Sequence, residues 1–120
     1  MKRPYELKLR IDVGKVTAMG PGKAQLLDLI IETGSISAAS KRMHMSYRRA
    51  WELVSTMNTC FSQPLVETSA GGSHGGGATV TEFGIAILQA YRTLVRKSEQ
   101  VAAVDIVSIT ERLRPHDESS

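Results

Sequence analysis

Hydroxyl and arginine side chains are concentrated in one stretch of the chain, in a pattern suited to contacting a nucleic acid. Residues 46–49 read Ser-Tyr-Arg-Arg. An arginine fork can pair with guanine O6 and N7, and serine, lysine and arginine commonly hold backbone phosphates. Residues 41–49 carry four basic side chains and His44 but no acidic side chain, although the net charge of the whole chain is only +3. The candidate contact residues are Ser35, Ser37, Lys41, Ser46, Tyr47, Arg48, Arg49 and Glu52.

A second candidate site is the glycine-rich segment of residues 69–77, which has five glycines in nine positions. It lacks the GxxxxGK[ST] pattern of a Walker loop, because no lysine follows these glycines before the next helix. We interpret it as the tip of a β-hairpin, where glycine allows tight turns and a close approach to phosphate. A plain disordered loop is the alternative. The candidate contacts here are Ser73, His74, Gly75 and Gly76.

Two short helices are predicted to position the first set. The first spans residues 37–43 and the second residues 46–60, with Ser37 and Ser46 as N-terminal caps. On the second helix Ala50, Val54 and their neighbours form an apolar face opposite Arg48. A buried short helix followed by a helix with an exposed basic start is typical of a helix-turn-helix. The alternative is an ordinary helical hairpin with a solvated charged face.

The preceding and following segments supply the rest of a core. Residues 6–13 alternate between apolar and polar, which predicts one half-buried strand closed by Gly14. Residues 23–33 predict a helix that ends at Gly34; its expected buried residues are Leu26, Leu27, Ile30 and Ile31. Residues 65–68 and 78–81 predict the two strands of the hairpin. The expected fold class is mainly α with a small antiparallel sheet, a winged helix-turn-helix with an added N-terminal strand.

A long helix over residues 82–104, capped by Thr81, follows the hairpin. Its apolar stripe is longer than a small core needs, so we predict a homodimer through it. Covering the first helix of the same chain is the alternative use of that stripe. A last short helix is predicted from the capping-box pattern Ser108-x-x-Glu111. We assign residues 1–105 to a DNA-binding and dimerisation domain and residues 106–120 to a short helix and tail. The predicted interface residues are Ile87, Leu88, Tyr91, Leu94, Val95 and Val101.

Composition argues against several other classes of protein. The 120 residues are 42% apolar, enough for the core of one domain, and the single cysteine excludes an intrachain disulfide. The three histidines have no second ligand at metal-binding spacing, and no nucleophile elbow is present. We therefore expect no enzyme, no metal and no cofactor. Neither a signal peptide nor a run long enough to span a membrane is evident, which predicts a cytoplasmic protein.

These residues resemble the N-terminal DNA-binding domain of the molybdate-responsive ModE-type regulators, over about residues 22–91. More distantly, the layout is similar to the DNA-binding heads of LysR-type regulators. The resemblance implies a winged helix-turn-helix transcription regulator with a dimerising long helix. Family members also carry C-terminal molybdate-binding domains, and residues 111–120 are too few to form them. The resemblance therefore carries over DNA binding and gives no support for oxyanion sensing within this chain. It rests on residues 34–37, 45–51, 57–58, 65–67, 71–72 and 75–78, with Thr81 and Gly84.

Three hypotheses follow. The first is a repressor-type bacterial regulator that binds a palindromic operator in double-stranded DNA as a homodimer. The second is a protein-interaction module on a winged-helix scaffold that does not bind DNA; it has no need of Arg48 and Arg49 beside an exposed capping serine. The third, a small oxyanion-binding protein that uses the glycine loop, is the weakest, because no cation flanks that loop at short range.

Overall fold

The computed structural model describes residues 5–69 and 77–115. It confirms the expected class: five helices and two small antiparallel sheets occur in the described part of the chain. The strands are β1 (Ile11–Val13), β2 (Val16–Met19), β3 (Val66–Thr68) and β4 (Ala78–Val80). The helices are α1 (Pro21–Thr33), α2 (Ile36–Arg42), α3 (Tyr47–Cys60), α4 (Glu82–Val101) and α5 (Ala103–Thr110).

The amino-terminal segment forms a hairpin, and the prediction of one strand over residues 6–13 is wrong. Only β1 is extended in a ladder, and it pairs with β2, which the sequence pattern had not indicated. Gly14 makes the turn with φ of +62°, a conformation that favours glycine. Leu7 and Leu9 are half-buried but lie outside the ladder, and Ile11 and Val13 are exposed. The alternating pattern therefore identified the half-buried Leu7 and Leu9 but did not give the extent of the strand.

Helix α1 is the centre of the core. Pro21 begins it, where a missing N–H costs nothing. Gly34 ends it at φ of +70°, and its N–H donates to the Ile30 carbonyl over 2.8 Å. Leu26, Leu27 and Ile30 are at most 1% exposed, as predicted. Ile31 is 51% exposed, so its predicted burial is wrong; Leu29, on another side of the helix, is 8% exposed instead.

Helices α2 and α3 form the predicted pair with one change of cap. The cap of α2 is Ser35, whose Oγ accepts the Ala38 N–H over 3.0 Å, so α2 begins before Ser37 and the predicted cap is wrong. Ile36 is then the first helical residue and is buried against the core. Helix α2 therefore begins earlier in the chain than predicted. The cap of α3 is Ser46, as predicted. His44 makes the tight turn between them with φ of +55°.

The carboxyl-terminal helices depart from prediction at their junction. Thr81 caps α4 as expected, accepting the Gly84 N–H over 2.9 Å, but α4 ends at Val101 and α5 begins at Ala103. Ser108 therefore lies inside α5, and its assignment as a cap is wrong. Residues 101–109 are mostly apolar, and the chain is helical at Ser108, where the sequence pattern had predicted an N-terminal cap. The domain boundary at residue 105 remains a prediction, although α5 runs across it.

Candidate nucleic-acid interface

The start of α3 presents an exposed basic surface on the helix-turn-helix. Ser46 Oγ accepts the Arg49 N–H over 3.0 Å, which fixes the first turn of the helix. The side chain of Arg48 is 91% exposed and that of Arg49 59% exposed. Behind them Ala50, Val54 and Met57 are buried. The helix thus holds two guanidinium groups outward from a rigid, core-anchored backbone.

Glu52 lies between the two arginines. One of its carboxylate oxygens is 3.6 Å from Arg48 Nε and the other is 3.6 Å from Arg49 Nη1. Exposed pairs of this kind contribute little to stability. They do hold two long side chains near one another, and a carboxylate can also accept from cytosine N4. Glu52 therefore belongs to the candidate surface as a residue that orients both arginines.

Tyr47 covers the other edge of the start of α3. Its ring makes an edge-to-face contact with Trp51, with centroids 6.3 Å apart, and the residue is 51% exposed. The Trp51 side chain packs against the core, so the Tyr47 ring rests on a side chain that is itself held in place. A half-exposed aromatic ring beside two arginines is suited to contact with sugar or base edges.

The remaining candidate contact residues of this region lie in or next to helix α2, and they differ in their exposure to solvent. Ser35 is half-buried and its hydroxyl is used as the cap of α2. Ser37 and Lys41 are exposed, one and two turns along the same helix. Lys41 is free to reach a phosphate, whereas Arg42 pairs with Glu32 of α1 over 2.8 Å. The structure therefore leaves Lys41 as the available basic side chain of α2.

Strands β3 and β4 form the base of a wing that is fixed to the helix-turn-helix. Asn58 of α3 accepts the N–H groups of Leu65 and Val66 over 2.8 and 3.1 Å, and its Nδ2 donates to the Val66 carbonyl over 3.0 Å. The Ala78 N–H donates to the Gly34 carbonyl over 2.9 Å. The predicted contacts Ser73, His74, Gly75 and Gly76 lie outside the described residues, between two strands whose base is held on both sides.

Sequence reasoning missed the surface that borders Arg49. Strand β2 and helix α1 contact α3, and Lys23, in the first turn of α1, is 9% exposed. Burial, together with the nearby charge of Arg49, lowers the pKa of the Lys23 ammonium. A hydrogen bond from Thr17 to Asp12, over 2.7 Å, lowers the pKa of that carboxyl. The sequence did contain a signal for this buried residue, namely a lysine in the first turn of a helix whose inner face is apolar.

The predicted dimer residues divide into two groups. Leu88 and Tyr91 are 5% and 6% exposed within the chain itself, and the Tyr91 hydroxyl donates to the Leu9 carbonyl over 2.6 Å. They pack in the chain's own core. Ile87 and Val95 are half-buried, while Leu94 is 41% and Val101 84% exposed. Further exposed apolar residues continue along and beyond α5: Val104, Val107, Ile109 and Leu113.

In the part of the chain that the structure describes, no group of His, Cys, Asp and Glu side chains could hold a metal ion. The same residues contain no helix with the length and apolar character needed to cross a membrane.

A helix-turn-helix with a buried first helix, an exposed basic second helix and a wing defines the class, a winged-helix DNA-binding domain. The chain belongs to the lysR family of bacterial regulatory helix-turn-helix proteins, whose model matches residues 22–85. The predicted class of DNA-binding transcriptional regulator is thereby confirmed, as is the predicted likeness to LysR-type heads.

The curated relatives are named as transcriptional regulators or molybdenum proteins and not as enzymes. They confirm the ModE-type resemblance. The chain is 40% identical to the molybdenum transport protein ModE of Azotobacter vinelandii over 102 residues, covering 85% of this chain and 36% of the relative. It is 35% identical to the transcriptional regulator ModE of Haemophilus influenzae, covering 78% and 37%. The Escherichia coli dual regulator ModE is 33% identical, covering 86% and 38%. The chain thus spans little more than a third of these relatives.

Solved structures give the same fold. The full-length LysR-type regulator LysG of Corynebacterium glutamicum, with its effector Arg bound, aligns with a TM-score of 0.52 at 26% identity, covering 78% of this chain and 30% of LysG. The DNA-binding domain of CbnR, in complex with DNA, aligns with a TM-score of 0.55 at 20% identity, covering 73% and 95%. The second likeness supports the winged-helix fold alone.

Proposed function

We propose that this chain binds a palindromic operator as a homodimer and regulates transcription in the bacterial cytoplasm. The observation that carries the proposal is the capped start of α3, which holds Arg48 and Arg49 away from the core. The exposed start of such a helix is the part that enters the major groove in helix-turn-helix proteins. The relatives are named for molybdenum transport and for regulation, and we extend only the regulatory role to this chain.

The two arginines have different expected roles. Arg48 is the more exposed and lies opposite the buried face, so its terminal nitrogens can pair with a guanine while its Nε lies 3.6 Å from Glu52. Arg49 lies on the flank towards α1 and is suited to a phosphate, as are Ser46 and Lys41. Glu52 orients both. The glycine-rich wing tip, including Ser73 and His74, is proposed to touch the backbone or the minor groove.

The experiment begins with selection of bound sequences from a random duplex pool. An enriched palindrome supports both operator binding and two-fold assembly. Fluorescence anisotropy then compares the selected duplex, a single-base variant and an unrelated duplex at several salt concentrations. Arg48→Ala should lose about 1–3 kcal/mol per half-site on the selected duplex and relax preference at one base pair. Arg49→Ala should weaken all three duplexes alike and lower the magnitude of the salt slope by about one per half-site.

Two results would redirect the proposal. An equal loss on all three duplexes for Arg48→Ala would remove base reading from Arg48. Unchanged binding in both variants would show that α3 is not the DNA-reading element and would favour the protein-interaction module. Arg42→Ala is the matched control, because Arg42 is a nearby arginine held by Glu32, and it should leave base preference unchanged.

The homodimer is proposed to form through the exposed apolar surface of α4 and α5. Burying such a surface in a second copy removes it from water, which is the main driving force of association. Light scattering at tens of micromolar should give about twice the chain mass of 13.1 kDa. Leu94→Asp should give a folded monomer, since Leu94 is 41% exposed within one chain. Gln89→Asp, on another face of α4, is the control and should remain dimeric. A wild-type mass near 13 kDa would contradict the dimer.

A further inference from the structure

Glu52 is the only acidic side chain in the stretch of sequence that forms the helix-turn-helix. Residues 33–66 contain no other Asp or Glu, yet Glu52 lies on the exposed face of α3, beside both Arg48 and Arg49. Its side chain is 54% exposed, so packing of the core does not require it there. Phosphates make a DNA duplex strongly negative. A carboxylate on this face therefore opposes DNA binding unless a contact with the DNA offsets the repulsion.

The ion pairs of Glu52 with the two arginines are too weak to account for the carboxylate by themselves. Both distances are 3.6 Å, which is longer than the roughly 2.7–2.9 Å of a charge-assisted hydrogen bond. Exposed ion pairs contribute little to stability. On Arg48 the near atom is Nε, so the two terminal nitrogens are left for a guanine. The arginine fork and the carboxylate can therefore face the groove at the same time.

The major groove offers a carboxylate few partners. Guanine O6 and N7 and thymine O4 are acceptors, adenine sets its N6 donor beside the N7 acceptor, and cytosine presents its N4 donor. An ionised carboxylate has only acceptors, so cytosine N4 is the base edge that fits it best. Four residues of α-helix rise about 6 Å, and base pairs are stacked about 3.4 Å apart. Glu52 therefore meets a base pair within about two steps of the one that Arg48 reads.

We propose that Glu52 determines sequence specificity by accepting a hydrogen bond from the N4 amino group of a cytosine within about two base pairs of the guanine that Arg48 reads. This inference rests on the proposed function and adds a second base contact to it. On a duplex with another base at that position, the carboxylate has no matching donor and repels phosphates and base acceptors. Glu52 thereby weakens binding to wrong sequences, whereas Arg49 strengthens binding to every sequence.

The test compares wild type with Glu52→Ala and Glu52→Gln in the anisotropy assay. Arg48→Ala first locates the guanine in the selected duplex, and each base is then placed in turn at the neighbouring positions. Wild type should prefer cytosine at one of them by roughly 5- to 150-fold. E52A should lose this preference, and E52Q should shift it towards adenine, because a glutamine amide can pair with N6 and N7. A wild-type chain with no cytosine preference near the guanine overturns the proposal.

An unrelated duplex measures the repulsion. E52Q removes one negative charge from each half-site and should bind this duplex about 2- to 5-fold more tightly per half-site. Glu111→Gln is the matched control, because it makes the same change of charge at the end of α5, outside the winged-helix unit. E111Q should leave affinity and base preference unchanged. An equal gain in E111Q would mean a general charge effect and overturn the repulsive role of Glu52.

A double variant separates base reading from positioning of the arginine. If Glu52 contacts cytosine itself, E52A should remove the cytosine preference in the Arg48→Ala chain as well as in wild type. If Glu52 only holds Arg48, E52A should lower the guanine preference and have no further effect once Arg48 is replaced; that result overturns the proposal. E52Q should melt within about 3 °C of wild type, because the side chain is exposed. A lower melting temperature with equally weakened binding to every duplex would make Glu52 structural and would also overturn it.

The outcomes also distinguish this inference from the proposed function. A wild-type chain that binds no duplex would contradict the proposed function itself. Specific binding by wild type, with the same base preferences in E52A and E52Q, would contradict only the role of Glu52.

Discussion

Asn58 is the side chain on which we expect the wing to depend most. It makes three hydrogen bonds from the last turns of α3 to the start of β3: two as an acceptor and one as a donor. Their partners are the backbone groups of Leu65 and Val66, residues that are 0% and 3% exposed. Asn58→Ala leaves two N–H groups and one carbonyl in the core without partners. We expect a large loss of stability and a wing base that no longer holds one angle to α3.

The size of the effect follows from those three groups. A hydrogen bond contributes a net 0.5–1.5 kcal/mol, roughly, and an unsatisfied buried partner costs about 1–3 kcal/mol. Three bonds therefore give a loss of about 3 kcal/mol, a large part of the roughly 5–15 kcal/mol that stabilises a domain. In a chain of this size that loss corresponds to a fall in melting temperature of about 10 °C or more.

Urea unfolding followed by circular dichroism measures this directly. Thr59→Ala is the matched control: the neighbouring hydroxyl donates to the Thr56 carbonyl on the exposed face of the same helix, so its loss should change stability by less than about 0.5 kcal/mol. If Asn58→Ala cost under about 1 kcal/mol with an unchanged m-value, the pairing of β3 with β4 would hold the wing without Asn58, and the reasoning would be refuted.

Three further predictions concern stability. Gly84→Ala should lower the urea midpoint by the equivalent of about 1–3 kcal/mol, because a Cβ there overlaps the Leu65 carbonyl; a raised midpoint would contradict this. Ser35→Ala should cost about 1 kcal/mol as the lost cap of α2, while Ser37→Ala should change the midpoint by less than about 0.5 kcal/mol. Burial raises the pKa of Tyr91, so wild-type stability should fall as pH rises above about 10, where the unfolded tyrosine ionises first. The phenylalanine variant, measured by urea unfolding at pH 8 and 11, should lose this dependence; an equal fall in both chains would refute it.

The core elements were predictable because each carries a local signal that agrees with its packing. Gly34 ends α1 in a left-handed conformation, and Ser46 accepts an amide of the first turn of α3. Thr81 does the same for α4 and also donates to the Pro64 carbonyl over 2.8 Å, which joins the cap to the base of the wing. Each boundary is set within a few residues of chain, so a pattern in the sequence suffices to find it.

Features that depend on distant packing were not predictable in this way. Strand β2 has no strong alternation of its own; it forms because Gly14 turns the chain and Met19 is buried in the core. Ser37 matched the cap pattern as well as Ser35, and burial of Ile36 at the first helical position decided between them. The burial of Leu29 and the exposure of Ile31 also depend on distant packing, because the contacts of α1 with α2 and α4 set which sides of the helix face inward.

The division of the long-helix stripe connects the fold to the proposed assembly. Tyr91 and Leu88 are used to attach α4 to α1 and to the amino-terminal segment, so the first half of α4 moves with the winged-helix unit. Beyond Tyr91 the apolar side chains of α4 are less buried: Val95 is half-buried, Leu94 is 41% exposed and Val101 is 84% exposed. A surface that begins where intrachain packing ends can join a second copy without displacing any of the core. Two copies joined there would each keep α3 at a fixed distance from the shared axis, and that fixed distance is what a two-fold operator with constant half-site spacing requires.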